Sequence, residues 1–546
     1  MIRSYSGAWC PTCGGHAAES TAHEERRTVS VLFADMVGFT ALASDLDPED
    51  VRALQRGYFR AVRQVVHRWD GVVEKYAGDA VLAVFGALRC DEHDAYRAVR
   101  AGLQVHEALR GRRFPPGLPV RAKVGIATGE ALVDLAGVCD GGQALVSGDV
   151  VNVASRLQGH AAAGTVVVSA ATRRATGSLI RYEDLPRTAV AGKPEPLEIF
   201  RAAGMEHRRP ADDAAPFVGR DAELATLTGR LTRAFSGRVA QLVSVAGPAG
   251  TGKSRLVREA ADRLPVTTLV GHCVPGGDGR YEPLAQMVRG FAGIRDGDDE
   301  PTVRRLLGAA LAGLVGADEL PDLVAVLPGV LGGQLAPREA ERVWRRLLIT
   351  AASRSPLLVV IEDLQWAAPA LARFVRDFVT SAPAVPLGIV VTRRPESTEV
   401  TAGLPADRAG SVTLPPLGTG ETARLLRHLL DRAGRSPMLA GRLLPVVSGN
   451  PLYAREYVNL LTGPGSPGAE LPVPELLRAI VSARIDRLDP ADRAALQAAA
   501  VFRLRRAGGP AGGLRPAHPR HAGGLPAPFG RVVERAVRLC GTRTPL

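Results

Sequence analysis

The residues Gly247-Pro-Ala-Gly-Thr-Gly-Lys253-Ser254 follow an apolar run, Gln241 to Ala246, and open a helical stretch. This spacing suits a phosphate: the backbone amides of a glycine loop wrap the anion, Lys253 reaches its outer oxygens, and Ser254 offers a hydroxyl to magnesium. Gly247, Gly250 and Gly252 are the glycines of this loop. A second apolar run, Leu357 to Ile361, ends in Glu362-Asp363, the place where acids hold a magnesium shell and polarise water. Far upstream, Asp35 ends the apolar run from Thr28 to Ala34, and Asp79 sits beside Gly78 at a hairpin turn. Two carboxylates meeting at one sheet edge, with oxygen-only company, also suit magnesium. Only four of the 68 basic residues are lysines: Lys75, Lys123, Lys193 and Lys253. An ammonium is a compact point donor where a guanidinium is a wide fork, so the surviving lysines mark positions to inspect.

The elements that must position these groups follow from periodicity. In the first third, Thr28 to Ala34 reads as a strand, and Pro48 to Trp69 as an amphipathic helix with Val51, Leu54, Tyr58, Val62 and Val65 near helical spacing. Gly71 to Phe85 reads as a hairpin, and Ala95 to Leu109 as a helix. Strands near Val120 to Ala127 and Ala131 to Leu135 and a helix from about Val150 to His160 complete the pattern. A polar stretch ending at Pro216 reads as a linker, and a second α/β pattern opens at Phe217.

The net charge of +12 invites a nucleic-acid reading, but nine arginines and one acid, Glu534, put +8 of it between Arg503 and Leu546. Only +4 remains for the rest, so the bulk surface is near balance and nucleic acid is not an expected partner. The longest apolar runs fall far short of the roughly 20 residues that cross a bilayer, and the N-terminus carries no signal-like stretch, so a cytoplasmic protein is expected. Cys10 and Cys13 have the spacing of a zinc knuckle, with His16 and His23 the nearby candidates. No second close pair follows, so they read as half a zinc ribbon and zinc is not expected there.

The strings VSVLFADMVGFT, VVEKYAGDAVLAVFG, KVGIATGE and GDVVNVASRLQ, in this order, resemble the class III adenylate/guanylate cyclase catalytic domain. The resemblance implies a ferredoxin-like α+β domain working as a head-to-tail homodimer with sites at the interface. It assigns Asp35 and Asp79 to two magnesium or manganese ions, with Met36 lending its backbone carbonyl. Asn152 and Arg156 match the pair that orients the ribose and stabilises the transition state; their i, i+4 spacing puts them on one helix face. Lys75 matches the lysine that reads adenine. Two positions depart from the pattern. Leu145 stands where the family reads the base with Asp or Thr, and an unpaired donor there would cost roughly 1–3 kcal/mol. Ala191 stands at the triphosphate lysine, with Lys193 two places on.

FVGRDAEL at 217–224, the glycine loop, IEDLQWA, VVTRRP and SGNPLYARE together resemble the STAND-class regulatory ATPases of the AAA-related superfamily. That resemblance implies a P-loop NTPase α/β domain with a helical lid, ATP and magnesium at the loop, Arg394 sensing the nucleotide, and Gly449-Asn450-Pro451 packing the lid. The expected organisation is therefore an α/β multidomain chain. It comprises a leader (1–25), a cyclase domain (26–203), a linker (204–216), an ATPase domain (217–400), a helical lid region (401–501) and a Gly/Pro/Arg-rich tail (502–546). The expected activity is conversion of ATP to cyclic AMP and pyrophosphate under control of the ATPase domain and an unknown upstream signal. The alternative is a cyclase-like dimerisation module in a non-enzymatic, ATP-dependent signalling or transcriptional regulator.

Overall fold

The computed structural model describes residues 24–88, 90–114, 117–134, 146–176, 179–188, 196–206, 215–274, 280–295 and 297–462, with 473, 474, 477, 481 and 485. Cys10, Cys13, Leu145, Ala191, Lys193 and the arginine-rich tail lie outside the described residues.

The first unit is built on β1 (Glu24–Met36), the hairpin β2 (Val72–Ala77) and β3 (Ala80–Phe85), and a small hairpin β4 (Arg113–Phe114) and β5 (Leu118–Pro119). It continues with β6 (Ala122–Asp134), β7 (Val146–Ser147), β8 (Val166–Ser169), β9 (Ile180–Asp184) and β10 (Ile199–Met205). The main sheet runs β2-β3-β1-β6-β8-β10-β9, with β7 on β6. The β6–β8 pair is parallel and the β1–β6 pair antiparallel.

Side chains alternate across β1, which explains its nearly unbroken apolar run. Leu32, Ala34 and Met36 pack with Leu54, Tyr58 and Val62 of the helix Pro48–Arg68 and Val99 of the helix Asp94–Leu109. Val29 and Val31 face the other way, onto Val150, Val153 and Leu157 of the helix Asp149–His160. The helix Pro48–Arg68 starts as its sequence dictates, with proline in the first turn beside Glu49 and Asp50, and ends with the basic residues His67 and Arg68 in the last.

The two strands expected around residues 120–135 are a single strand, β6. All thirteen residues of β1 pair with it, from Glu24 opposite Asp134 to Met36 opposite Ala122. Gly129, the apparent break, continues the ladder because an unbroken partner supplies hydrogen bonds on both sides of it.

The second unit has a five-stranded parallel sheet ordered β12-β13-β14-β11-β15. Its strands are β11 (Gln241–Ala246), β12 (Thr267–His272), β13 (Leu357–Glu362), β14 (Leu387–Arg393) and β15 (Ala409–Thr413). The inner strands are buried on both faces. Leu357, Val359 and Ile361 join one core, while Leu358 and Val360 join Val243 and Val245 in the other. β15 pairs with β11, so this sheet extends past residue 400 into the stretch expected to be helical lid. Helices Thr419–Arg432, Ala440–Val447 and Pro451–Thr462 then close around Leu426, Leu430, Leu443, Val447 and Val458. Among the described residues no helix is long and apolar enough to cross a membrane.

Candidate nucleotide sites

Asp35 leaves the C-terminal end of β1 and Asp79 occupies the β2–β3 turn, beside Gly78 at φ 65°. Sheet order makes β1 and β3 neighbours, with Ala34 opposite Val81, so the two acids converge. Their carboxyls lie within hydrogen-bonding contact. Burial, then the charge and hydrogen bond of Asp79, push the Asp35 carboxyl up to about 6, against donors from Gln158 and the Met36 backbone N–H. Gln158 Nε2 donates to Asp35 Oδ2 at 3.0 Å. Tyr58, whose buried hydroxyl has no hydrogen-bond partner, feels burial and then both aspartate charges, all of which push it upward.

Two acids forced together with a raised carboxyl form a negative centre that a divalent cation would relieve, and the donors are hard oxygens. The residues therefore fit magnesium or manganese, which Asp35 and Asp79 would hold. Among the described residues no group of three or more His, Cys, Asp or Glu forms a candidate metal site, so the carboxylate ligands would be this pair.

The helix Asp149–His160 carries both Gln158 and the pair Asn152 and Arg156. At about 100° per residue, Arg156 and Gln158 point in nearly opposite directions. With Gln158 turned to Asp35, the Asn152/Arg156 face is turned away from the aspartates of its own chain; Asn152 is exposed and Arg156 half-buried. Lys75 is exposed on the edge strand β2. The acids are thus assembled within one chain, whereas the Asn152/Arg156 face is turned away from them. Gly125 sets the height of this helix. A Cβ there would lie 2.2 Å from the Gln158 backbone nitrogen and 2.3 Å from the Ala154 oxygen.

The second constellation opens at the C-terminal end of β11, where the chain leaves toward β12 on one side of the sheet and reaches β15 on the other. This is the crevice where parallel α/β sheets take ligands. The loop turns into the helix Lys253–Asp262 through Gly250 at φ 79° and Gly252 at φ 94°. Lys253 is buried, its Nζ donating to the Gly247 and Pro248 carbonyls at 2.9 and 3.0 Å.

Glu362 ends β13. Burial pushes its carboxyl up, but hydrogen bonds and charge from His272, with help from Ser254 and Arg258, hold it below the usual range. His272 Nδ1 stands 3.1 Å from Glu362, and this bond outweighs burial to raise the imidazole. Asp363 takes a left-handed backbone, φ 56°, with its N–H on Thr392 Oγ1 at 2.9 Å, a strain of the kind concentrated at functional sites. Arg394, just past β14, is buried. The Gly449-Asn450-Pro451 turn reaches the glycine loop directly. Asn450 Nδ2 donates to the Ala249 carbonyl at 2.9 Å, and Leu452 N to Gly250 at 3.2 Å. Lys253, Ser254, Asp363, Arg394 and Leu452 line one cavity of about 430 Å³.

Sequence reasoning missed Gln158, Tyr58 and His272. Gln158 stood in a quoted motif, one turn past Ala154; His272 had no signal, since its partner lies 90 positions away in the chain.

Two family models match the chain, one over each constellation's strands. Residues 21–201 match the adenylate and guanylate cyclase catalytic domain, and residues 216–391 the AAA ATPase domain. The chain is a fusion of these two domains. An uncharacterised Rhizobium meliloti protein is 28% identical over 455 residues, 79% of this chain and 44% of that protein. Adenylate cyclase 1 of the same organism is 33% identical over 186 residues, 33% of this chain and 28% of that one. The chain thus spans less than half the length of these curated relatives. Among solved structures, the adenylyl cyclase CyaB from P. aeruginosa is 24% identical, with a TM-score of 0.30, over 34% of this chain and 97% of that one.

Proposed function

We propose that the chain is an adenylate cyclase, forming cyclic AMP and pyrophosphate from ATP at the interface of a homodimer, under control of nucleotide bound at the AAA ATPase domain. The observation that carries this reading is the convergence of Asp35 and Asp79, with Asn152 and Arg156 turned away on the helix whose Gln158 braces Asp35. Magnesium or manganese bound at the aspartates would activate the ribose 3′-hydroxyl and neutralise the triphosphate. Asp35 and Asp79 hold this cation, and Gln158 and the Met36 N–H fix the Asp35 carboxylate. Across the dimer, Asn152 orients the ribose, Arg156 faces the charge that develops on phosphate, and Lys75 donates to an adenine ring nitrogen, favouring ATP over GTP. Lys193 is the candidate for a further phosphate contact.

In this reading the first unit is the ferredoxin-like cyclase domain and the second a STAND-type switch. Lys253, Ser254, Glu362 and Asp363 hold ATP and its magnesium, Arg394 senses the terminal phosphate, and the helices after Thr419 act as lid. Leu145 and Ala191 favour a second reading, a catalytically weak cyclase-like dimerisation module in a signalling regulator.

The experiment is incubation of the purified protein with manganese and ATP or GTP, beside Asp35→Ala and Lys253→Ala variants. Cyclic AMP above the Asp35→Ala blank is expected; no product above that blank leaves the second reading standing. A Lys253→Ala rate equal to the parent at every ATP concentration removes the regulatory half.

A further inference from the structure

Glu92 belongs to the cyclase domain, between β3 and the helix Asp94–Leu109, yet its carboxylate pairs with Arg394 of the ATPase domain. Both side chains are largely withdrawn from solvent, 15% exposed for Glu92 and 7% for Arg394. The neighbouring His93 ring meets Trp366 edge-on at 5.5 Å between centroids, and the Arg394 guanidinium lies 5.5 Å from the centre of that same ring. Glu92 and His93 line the 430 Å³ cavity together with Lys253, Ser254 and Asp363. The cyclase domain therefore forms part of the wall of the second site in its own chain.

A single guanidinium shares its one positive charge among the anions that reach it, and two anions brought to the same side of it repel each other. We propose that Glu92 is a built-in competitor for Arg394. The terminal phosphate of a nucleoside triphosphate in the glycine-loop cavity takes Arg394 and displaces Glu92, whereas a diphosphate, lacking that phosphate, leaves the pair intact. This inference rests on reading the second site as a nucleotide site.

The displacement has a route to the first site. Asp91 accepts from the His93 N–H at 2.8 Å, and the Asp91 N–H is bound at 2.6 Å by Asp94, which pairs in turn with Arg97. Residues 91–94 are thus tied to the start of the helix Asp94–Leu109. That helix packs Val99 in the same core as Leu32, Ala34 and Met36 of the strand that carries Asp35. A ligand that discriminates between paired and released Glu92 biases this connected element, which is the physical content of coupling between two sites.

The test is titration of the full chain with fluorescent methylanthraniloyl-labelled, non-hydrolysable ATP and with similarly labelled ADP, counting only the binding that Lys253→Ala removes. Glu92→Gln keeps the shape and deletes the competing charge. It should tighten the triphosphate Kd by roughly fivefold or more, within the usual range of coupling factors, and leave the diphosphate Kd within about twofold. Arg394→Ala should erase this difference, and the Glu92→Gln/Arg394→Ala double variant should match Arg394→Ala alone. Equal shifts for both nucleotides, or none, while Lys253→Ala still abolishes binding, would overturn the competition and spare the nucleotide site. Binding untouched by Lys253→Ala would overturn the site reading and the competition with it. Melting temperatures within a few degrees of the parent certify that the Glu92→Gln protein is folded.

Discussion

At the scale of single residues, the two aspartates differ from the groups proposed to act with them. Asp35 and Asp79 depend on each other, since each sits where the other's charge is felt, and Gln158 tempers that repulsion. Arg156 lies on the helix face turned away from them. Arg156→Ala should therefore lower kcat roughly 10²–10³-fold with little change in KM, as expected for a group that acts on charge developing in the transition state. Steady-state kinetics with manganese–ATP measure this, and a change confined to KM would remove Arg156 from that role. Glycine-loop spacing pointed to Lys253 and acids at strand ends to Asp35 and Asp79, whereas Arg394 was reached only through the family resemblance. Motif spacing was blind to His272 on Glu362 and to Glu92 on Arg394. Those contacts arise where strands or domains distant in sequence become neighbours.

At the scale of elements, the helix Asp149–His160 is held down by the missing side chain at Gly125. Gly125→Ala puts a methyl against backbone that cannot rotate away, so overpacking should cost about 1–3 kcal/mol and shift the helix that bears Gln158, Asn152 and Arg156. A fall in melting temperature together with lost cyclase activity is expected; a variant as stable and active as the parent would refute this account of the helix. A second prediction concerns the helix Asp94–Leu109. Burial, aided by the charges of Arg110 and Arg121, lowers the His106 imidazole from 6.5 to about 4, against a hydrogen bond to the Thr165 backbone. The ring's contribution to stability is complete above pH 6.5. It is lost progressively toward pH 4, because the unfolded chain takes up the proton first, and amounts to at most about 3 kcal/mol. Unfolding followed from pH 7.5 to 4 should show this slope, and His106→Gln should flatten it. Periodicity located the hairpin turn at Gly78-Asp79 and the helices near 48–69, 95–109 and 150–160. It divided β6 in two, since the ladder that carries a strand through Gly129 is supplied by β1, nearly a hundred residues upstream.

At the scale of the whole molecule, the Arg156 face turned away from its own aspartates predicts complementation. Mixing inactive Asp35→Ala and Arg156→Ala chains should restore activity, because each mixed dimer contains one site with both groups intact. Failure of mixed chains to regain activity, with dimers verified by sedimentation, would argue against sites shared between protomers. Domain order was legible from two separated sets of motifs, but the docking of one domain on the other was not, since no local pattern encodes it. The sheet topology also has a consequence for synthesis. β11 emerges with residue 246, yet its two partners end at residues 393 and 413. At ribosomal speeds of about 5–20 residues per second, the central strand and its glycine loop wait on the order of ten seconds for neighbours. The cyclase strands are complete in sequence at residue 205, so Arg394 reaches a partner, Glu92, that was synthesised long before it.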